Sequence, residues 1–354
     1  MARSVYDLSP EDLAVLLAGE PPYRVRQVWE GLHRRQARPA EMSELPAALR
    51  ASLEAAVPPP PVEADRRQAD DGDTVKWLLS LDGGARVETV LMAYPDRVTV
   101  CVSTQAGCAM ACQFCATGQA GFTRHLTSGE IVEQVALASR TARPRRLSRV
   151  VFMGMGEPLA NYDAVLGAVG RLHGAMGLSA RHLTISTVGL VPGIRRLAEE
   201  PLPVNLAVSL HAANDELRDE LVPVNRRYPL AVLAGACRDY VAATGRRLSL
   251  EWALIDGVND RATDVDELAA FARPLAAHVN LIPLNPTPGY PVRGTPPEGV
   301  RRFSRALRAS RVNATVRANR GVSIDAACGQ LAGGAQPVDG STGGGASGRT
   351  SSRR

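Results

Sequence analysis

The 354-residue sequence predicts an α/β protein. Its centre reads as a curved, incomplete (βα)6 TIM-like barrel, with a small N-terminal helical domain before it and a disordered C-terminal tail after it. Three observations carry this. Apolar, valine-rich segments alternate with helical stretches over residues 97–332, the signature of a parallel sheet with helices outside. Before residue 66 the apolar spacing is helical only. After residue 333 the chain turns Gly/Ser-rich and cannot bury enough surface to fold.

Residues 1–66 form the helical unit. Ser9-Pro10-Glu11-Asp12 supplies an N-cap with proline at the first helical position. Tyr23–His33 has apolar residues at helical spacing, and Ala47–Leu53 gives another short helix. Arg24, Arg26, Arg34, Arg35 and Arg38 cluster here, which fits a solvated surface or an RNA-binding face. Pro58–Pro61 then breaks the chain. The polar, acidic stretch up to Asp73 reads as a linker, so residues 67–96 are expected to be a linker and a β-hairpin extension. The hairpin strands are Lys76–Leu81 and Arg86–Met92, joined by a turn at Asp82-Gly83-Gly84.

Barrel strands are expected at Arg97–Ser103, Arg149–Met153, His182–Ser186, Val204–Leu210, Leu248–Ile255 and Val279–Leu284, with a last strand near Thr315. Helices are expected at Ser128–Ser139, Tyr162–Met176, Asp215–Leu221, Leu230–Ala243 and Asp264–Ala276. A closed barrel needs eight units, so this one is open.

The net charge is +5, nearly all of it from arginine, with Lys76 the lone lysine. That permits a polyanionic partner without requiring one. Apolar runs are too short to span a bilayer. The opening residues lack a secretory pattern, so a cytoplasmic location is expected. Six cysteines in such a chain suit metal or catalytic thiols better than a disulfide scaffold.

Three of them form a Cys108-x3-Cys112-x2-Cys115 run, with Phe114 before the last. Three thiolates on one loop suit a soft metal centre. A structural zinc site would want a fourth ligand, and that reading stays open on spacing alone. In a parallel barrel, chemistry gathers where strands end. The cysteines follow the first barrel strand, Gly154-Met155-Gly156-Glu157-Pro158 the second, and Ser186-Thr187-Val188-Gly189 the third. Ser209-Leu210-His211 closes the fourth and Asn285-Pro286 follows the sixth. The glycines allow close backbone approach to a ligand, and Glu157 is an acceptor suited to an ammonium.

Together CVSTQAGCAMACQFCATG, VFMGMGEPLANYD, SLHAANDELRDELVPVN, NLIPLNPTPG and RGVSIDAACGQLAG resemble the RlmN/Cfr family. Its members are radical S-adenosylmethionine (SAM) RNA methyltransferases acting on adenine carbons. The resemblance runs from about residue 5 to 333. It implies a radical-SAM partial barrel at 97–332 and an RNA-binding role for residues 1–66. Cys108, Cys112 and Cys115 would ligate a [4Fe-4S] cluster. Gly156, Glu157, Ser186, Ser209, Leu210, His211 and Asn285 would line the SAM pocket. Cys328 would carry the methyl group as S-methylcysteine, Cys101 would resolve it through a transient disulfide with Cys328, and Glu88 would accept a proton. Cys237 matches no motif and reads as a small buried apolar residue.

The chemistry explains the parts. C2 and C8 of adenine are electron-poor, so transfer of an electrophilic methyl group fails there and a radical route is needed. By resemblance, two SAM are used per turnover: one methylates Cys328, and the other yields the radical that activates this methyl group. The expected substrates are 23S rRNA and adenine 37 of tRNA, modified at C2. A flavodoxin-type electron donor, a monomeric state and no membrane partner are also expected. C8 methylation, a radical-SAM enzyme acting on another substrate, and a zinc RNA-binding protein without turnover are the alternatives.

Overall fold

The computed structural model describes residues 3–287, 289–317 and 320–333. The expected disordered tail lies, after residue 333, outside the described residues. At the other end stand three helices: α1 Pro10–Leu16, α2 Tyr23–Arg34 and α3 Ala47–Ala56. Ser9 caps α1 as expected. Its Oγ accepts from Asp12 N–H, and the Asp12 carboxylate accepts from Ser9 N–H. These helices share the barrel's core, for Tyr6, Leu13, Val28 and Leu32 are buried in one cluster with the barrel's apolar residues.

The first finding against expectation is in the segment read as a linker. Val62–Ala69 is a strand, β1, pairing antiparallel with β2 (Thr74–Ser80) from Val62 opposite Ser80 to Ala69 opposite Thr74. Its sequence, VEADRRQA, shows no apolar alternation because it is an edge strand lying mostly in solvent. Charge on such an edge blocks pairing with other chains. β2 in turn pairs with β3 (Arg86–Ala93). Gly83 and Gly84 make the turn between them at φ +75° and +77°, a backbone region open to glycine.

Next come β4 (Val98–Cys101), β5 (Gln105–Gly107), α4 (Ala116–Gln119), β6 (Phe122–His125) and α5 (Ser128–Thr141). The Asp7 carboxylate accepts from Gly129 N–H (2.6 Å) and Thr127 Oγ (2.8 Å) at the start of α5. An anion there complements the helix dipole, and the contact ties the N-terminal unit to the barrel. Then follow β7 (Arg149–Phe152), α6 (Tyr162–Gly170), β8 (Leu183–Thr187), α7 (Val191–Ala198), β9 (Asn205–Ser209), α8 (Asp215–Leu221) and α9 (Leu230–Thr244). Last come β10 (Leu248–Leu254), α10 (Ala262–Ala272), β11 (His278–Pro283), α11 (Pro297–Ala309) and β12 (Asn313–Val316).

The large sheet runs β1-β2-β3-β4-β7-β8-β9-β10-β11-β12. From β4 to β12 neighbouring strands are parallel, giving the incomplete α/β barrel. The sequence reading missed α7 and α11. In α11 the buried residues are Val300, Phe303, Ser304 and Leu307, an i, i+3, i+4, i+7 face interleaved with arginines. Phe303 stacks on Trp252 of β10 at 6.2 Å between ring centroids. The expected helix over 162–176 is α-helical only to Gly170 and continues as a π-turn to Ala175. Among the described residues no helix is long and apolar enough to cross a membrane.

Candidate active site

The strand-end rule places the site at the C-terminal rim of the parallel strands. β5 and β6 pair antiparallel there and bracket the cysteine loop. Cys108 N–H donates to Gly121 O (2.7 Å) and Cys115 N–H to Cys112 O (3.2 Å). The three thiols line one cleft of about 990 Å³, mouth included, a volume ordinary for a small-molecule site. Three thiols on one short loop, facing one cleft, are a donor set suited to a soft metal centre. Burial pushes the Cys108 thiol up to about 12 and the Cys112 thiol well above its ordinary range. Only a strong positive centre would keep such thiols ionised, so the donor set fits a thiolate-bound metal cluster.

Gly156, Glu157, Ser186, Ser209, His211, Asn285 and Cys328 line the same cleft. Glu157 accepts from Leu159 N–H (3.0 Å) and Val188 N–H (2.9 Å). Burial nevertheless raises it to about 7. His211 Nδ1 accepts from Ala253 N–H (3.0 Å), which puts the ring proton on Nε2. Burial first, and Arg218 second, lower its pKa to about 3, so the ring is neutral. The Ser186 and Ser209 hydroxyls lie 3.5 Å apart. A polar set along an otherwise apolar wall fits an amino acid joined to a nucleoside, as in SAM.

Two expectations change. The backbone freedom of Gly154 and Gly156 serves packing as much as a ligand. A Cβ on Gly154 would fall 2.7 Å from the Val102 carbonyl, and one on Gly156, at φ +99°, 2.5 Å from Gln105 Cβ. Leu210 does not line the cleft. Its side chain is buried, its N–H donates to Glu251 O, and its carbonyl accepts from Arg218 Nε.

Cys101 and Cys328, far apart in sequence, line a second cavity of about 650 Å³, mouth included, that adjoins the first; Cys328 and Arg317 belong to both. Burial first, then the nearby Cys328, push the Cys101 thiol up to about 12, and Arg317 opposes this. Arg317 is itself raised above its usual range, chiefly by Cys328. Glu88 lines neither cavity. It is buried against Lys76 at 3.1 Å, and its Oε2 accepts from Ala332 N–H at 2.8 Å. Cys237 is fully buried on α9, away from both cavities.

Sequence reasoning missed Arg317, Glu251 and Arg218. Arg317 follows β12 directly, so the strand-end rule applied to the last strand would have found it. Glu251 lies within β10 and accepts from Asn280 Nδ2 (2.8 Å), while its other oxygen has no partner among the described residues. Arg218, buried and lowered to about 10 by burial, donates to the carbonyls of Leu210, Val188 and Ser209. It thereby fixes the loops after β8 and β9.

Comparison with known proteins bears on this site. Residues 102–271 match the Radical SAM superfamily. The chain is 53% identical to a probable dual-specificity RNA methyltransferase RlmN of Salinispora tropica, covering 92% of this chain and 91% of that one. The chain belongs to the RlmN family of radical SAM RNA methyltransferases. A probable RlmN of Chloroflexus aurantiacus is 51% identical, over 94% and 93% of the two chains. A crystal structure of a radical SAM methyltransferase from Sphaerobacter thermophilus superposes with a TM-score of 0.90 at 51% identity, over 94% of this chain and all of that one. Membership implies SAM and an iron–sulfur cluster as cofactors.

Proposed function

We propose that this protein methylates C2 of an adenine in 23S rRNA and adenine 37 of tRNA, through a methyl group carried on Cys328. The observation that carries the reading is the placement of Cys328 on the wall shared by the two cavities, with the three clustered thiols lining the larger and Cys101, beside Cys115, lining the smaller. Cys108, Cys112 and Cys115 would hold a [4Fe-4S] cluster, and Gly156, Glu157, Ser186, Ser209, His211 and Asn285 would hold SAM. Bound there, these groups supply the methyl carbon and the radical that activates it.

The chain's own residues do the rest. Cys328 accepts the methyl group as a nucleophile, which needs a thiolate, and Arg317 lines the same two cavities as Cys328. The carbon held on Cys328 is handed to the ring carbon of the adenine. Such a base must lie in a loop or leave its stack to enter. The family resemblance assigns the proton released from the ring carbon to Glu88, which lies outside both cavities, paired with Lys76. Cys101 then attacks the Cys328 sulfur: the S–S bond forms, the bond from that sulfur to the transferred carbon breaks, and its electron pair passes to the carbon, which takes up a proton to become the methyl group of the departing RNA; the electron donor reduces the disulfide before the next turnover. The reading includes two SAM per turnover, a flavodoxin-type electron donor and a monomer working in the cytoplasm.

The test is the modified-nucleoside profile, by mass spectrometry, of 23S rRNA and tRNA incubated with anaerobically reconstituted protein, SAM and a reductant. 2-Methyladenosine is the expected product. 8-Methyladenosine would move the chain to C8 chemistry, and an unmodified profile would overturn the proposal.

A further inference from the structure

We propose that Lys76 is a positioning residue. With Glu88 it forms a buried latch that pins both stems of the loop carrying Cys328. The inference rests on the reading of Cys328 as the methyl carrier. Lys76 and Glu88 stand on neighbouring antiparallel strands two positions apart in register, so they share one face of the β2–β3 hairpin. Their side chains are each 7% exposed and their charges 3.1 Å apart. Each has a second bond, to the backbone of the catalytic segment. Lys76 Nζ donates to Asp325 O (3.1 Å), and Glu88 Oε2 accepts from Ala332 N–H (2.8 Å). Cys328 lies between those two anchor points.

The apex of the loop is held by different partners. Asn285 Nδ2 donates to Cys328 O (3.1 Å), Ala116 N–H to Gly329 O (2.8 Å), and Thr117 Oγ to Leu331 O (2.5 Å). These bonds come from the cysteine-loop helix α4 and from the segment after β11, that is, from the cofactor side. The latch comes from the hairpin side. The thiol is therefore suspended between two bodies, and its place relative to Cys101 depends on both. A buried ion pair is a poor source of net stability, because desolvating two charges offsets most of their attraction. Its value here lies in direction. It requires a donor at position 76 and an acceptor at position 88, each facing one loop stem. This gives the hairpin extension, and the chain's lone lysine, a task in the reaction.

Hydrogen exchange of the full-length protein, followed by mass spectrometry, tests the latch. In K76M, exchange across residues 325–332 should rise about tenfold or more, as expected for losing a buried charged hydrogen bond, with barrel peptides unchanged. The kcat for RNA methylation should fall while the KM for RNA holds. The charge swap K76E/E88K restores an ion pair but presents an acceptor to Asp325 O and a donor to Ala332 N–H, so loop exchange should stay fast. Wild-type protection in the swap, or in K76M, would overturn the latch. If K76M fails to fold, E88Q replaces it. Glutamine still accepts from Ala332 but removes the charge facing Lys76, so exchange should rise near Asp325 while Ala332 stays protected. Unchanged exchange at both stems would overturn the proposal. A C328S enzyme that still methylates RNA would sink the carrier reading, yet leave the exchange result standing.

Discussion

The two adjoining cavities are built on opposite principles. Apart from Arg317 and Cys328, which it shares with the smaller, the larger is local: its three clustered thiols come from one eight-residue loop, and its polar groups sit one strand end after another around the rim. The smaller is assembled from the two ends of the barrel. Cys101 closes β4, Arg317 follows β12, and Cys328 hangs on a loop held by the hairpin and the rim. A metal centre needs its ligands preorganised together, so a short loop suffices. On the proposed reading, a relay between two thiols needs one of them free to serve two neighbours, and the seam of an open barrel suits that. The seam brings the first and last strands of the parallel sheet to one cavity.

The sharpest way to break this comparison is C328S. It should lower RNA methylation by at least about a thousandfold, as for loss of a nucleophile, while iron and sulfide content stay at wild-type level. C112S should do the reverse in composition: iron and sulfide are lost on anaerobic reconstitution, and Cys328 remains alkylatable by iodoacetamide. An intermediate effect is expected from pH. Glu157, raised to about 7 by burial, is a carboxylate above that pH and protonated below it. If the carboxylate receives the SAM ammonium, SAM affinity measured by calorimetry should fall by up to about tenfold per unit as pH drops below 7. E157Q should flatten that dependence. The smallest effect belongs to C237A. It removes one buried sulfur from α9 and should cost about 1 kcal/mol in thermal or denaturant unfolding, with methylation within about twofold of wild type.

The same contrast explains what could be read from the chain alone. The cysteine triplet and the strand-end loops were legible because their spacing is local and each follows an apolar run. β10 and β11 were legible for the same reason. β1 was not, since an exposed edge strand owes its form to the backbone of β2 and carries no apolar pattern of its own. α11 was hidden by its arginines, though Val300, Phe303 and Leu307 keep the helical period. Cys101 and Cys328 entered only through the family resemblance, as nothing in spacing connects opposite ends of a barrel. The surroundings of Arg317 and the pairing of Lys76 with Glu88 carry no signal in the chain alone, because their meaning lies in what the fold sets beside them.

The central claim is that Cys101 releases a carbon held between Cys328 and the RNA. C101A, reduced and supplied with SAM and RNA, tests it most directly, with protein and RNA resolved on a denaturing gel and the link mapped by mass spectrometry. The expected result is a covalent RNA–protein adduct at Cys328 and little free product. Methylated RNA released at the wild-type rate, with no adduct, would contradict it.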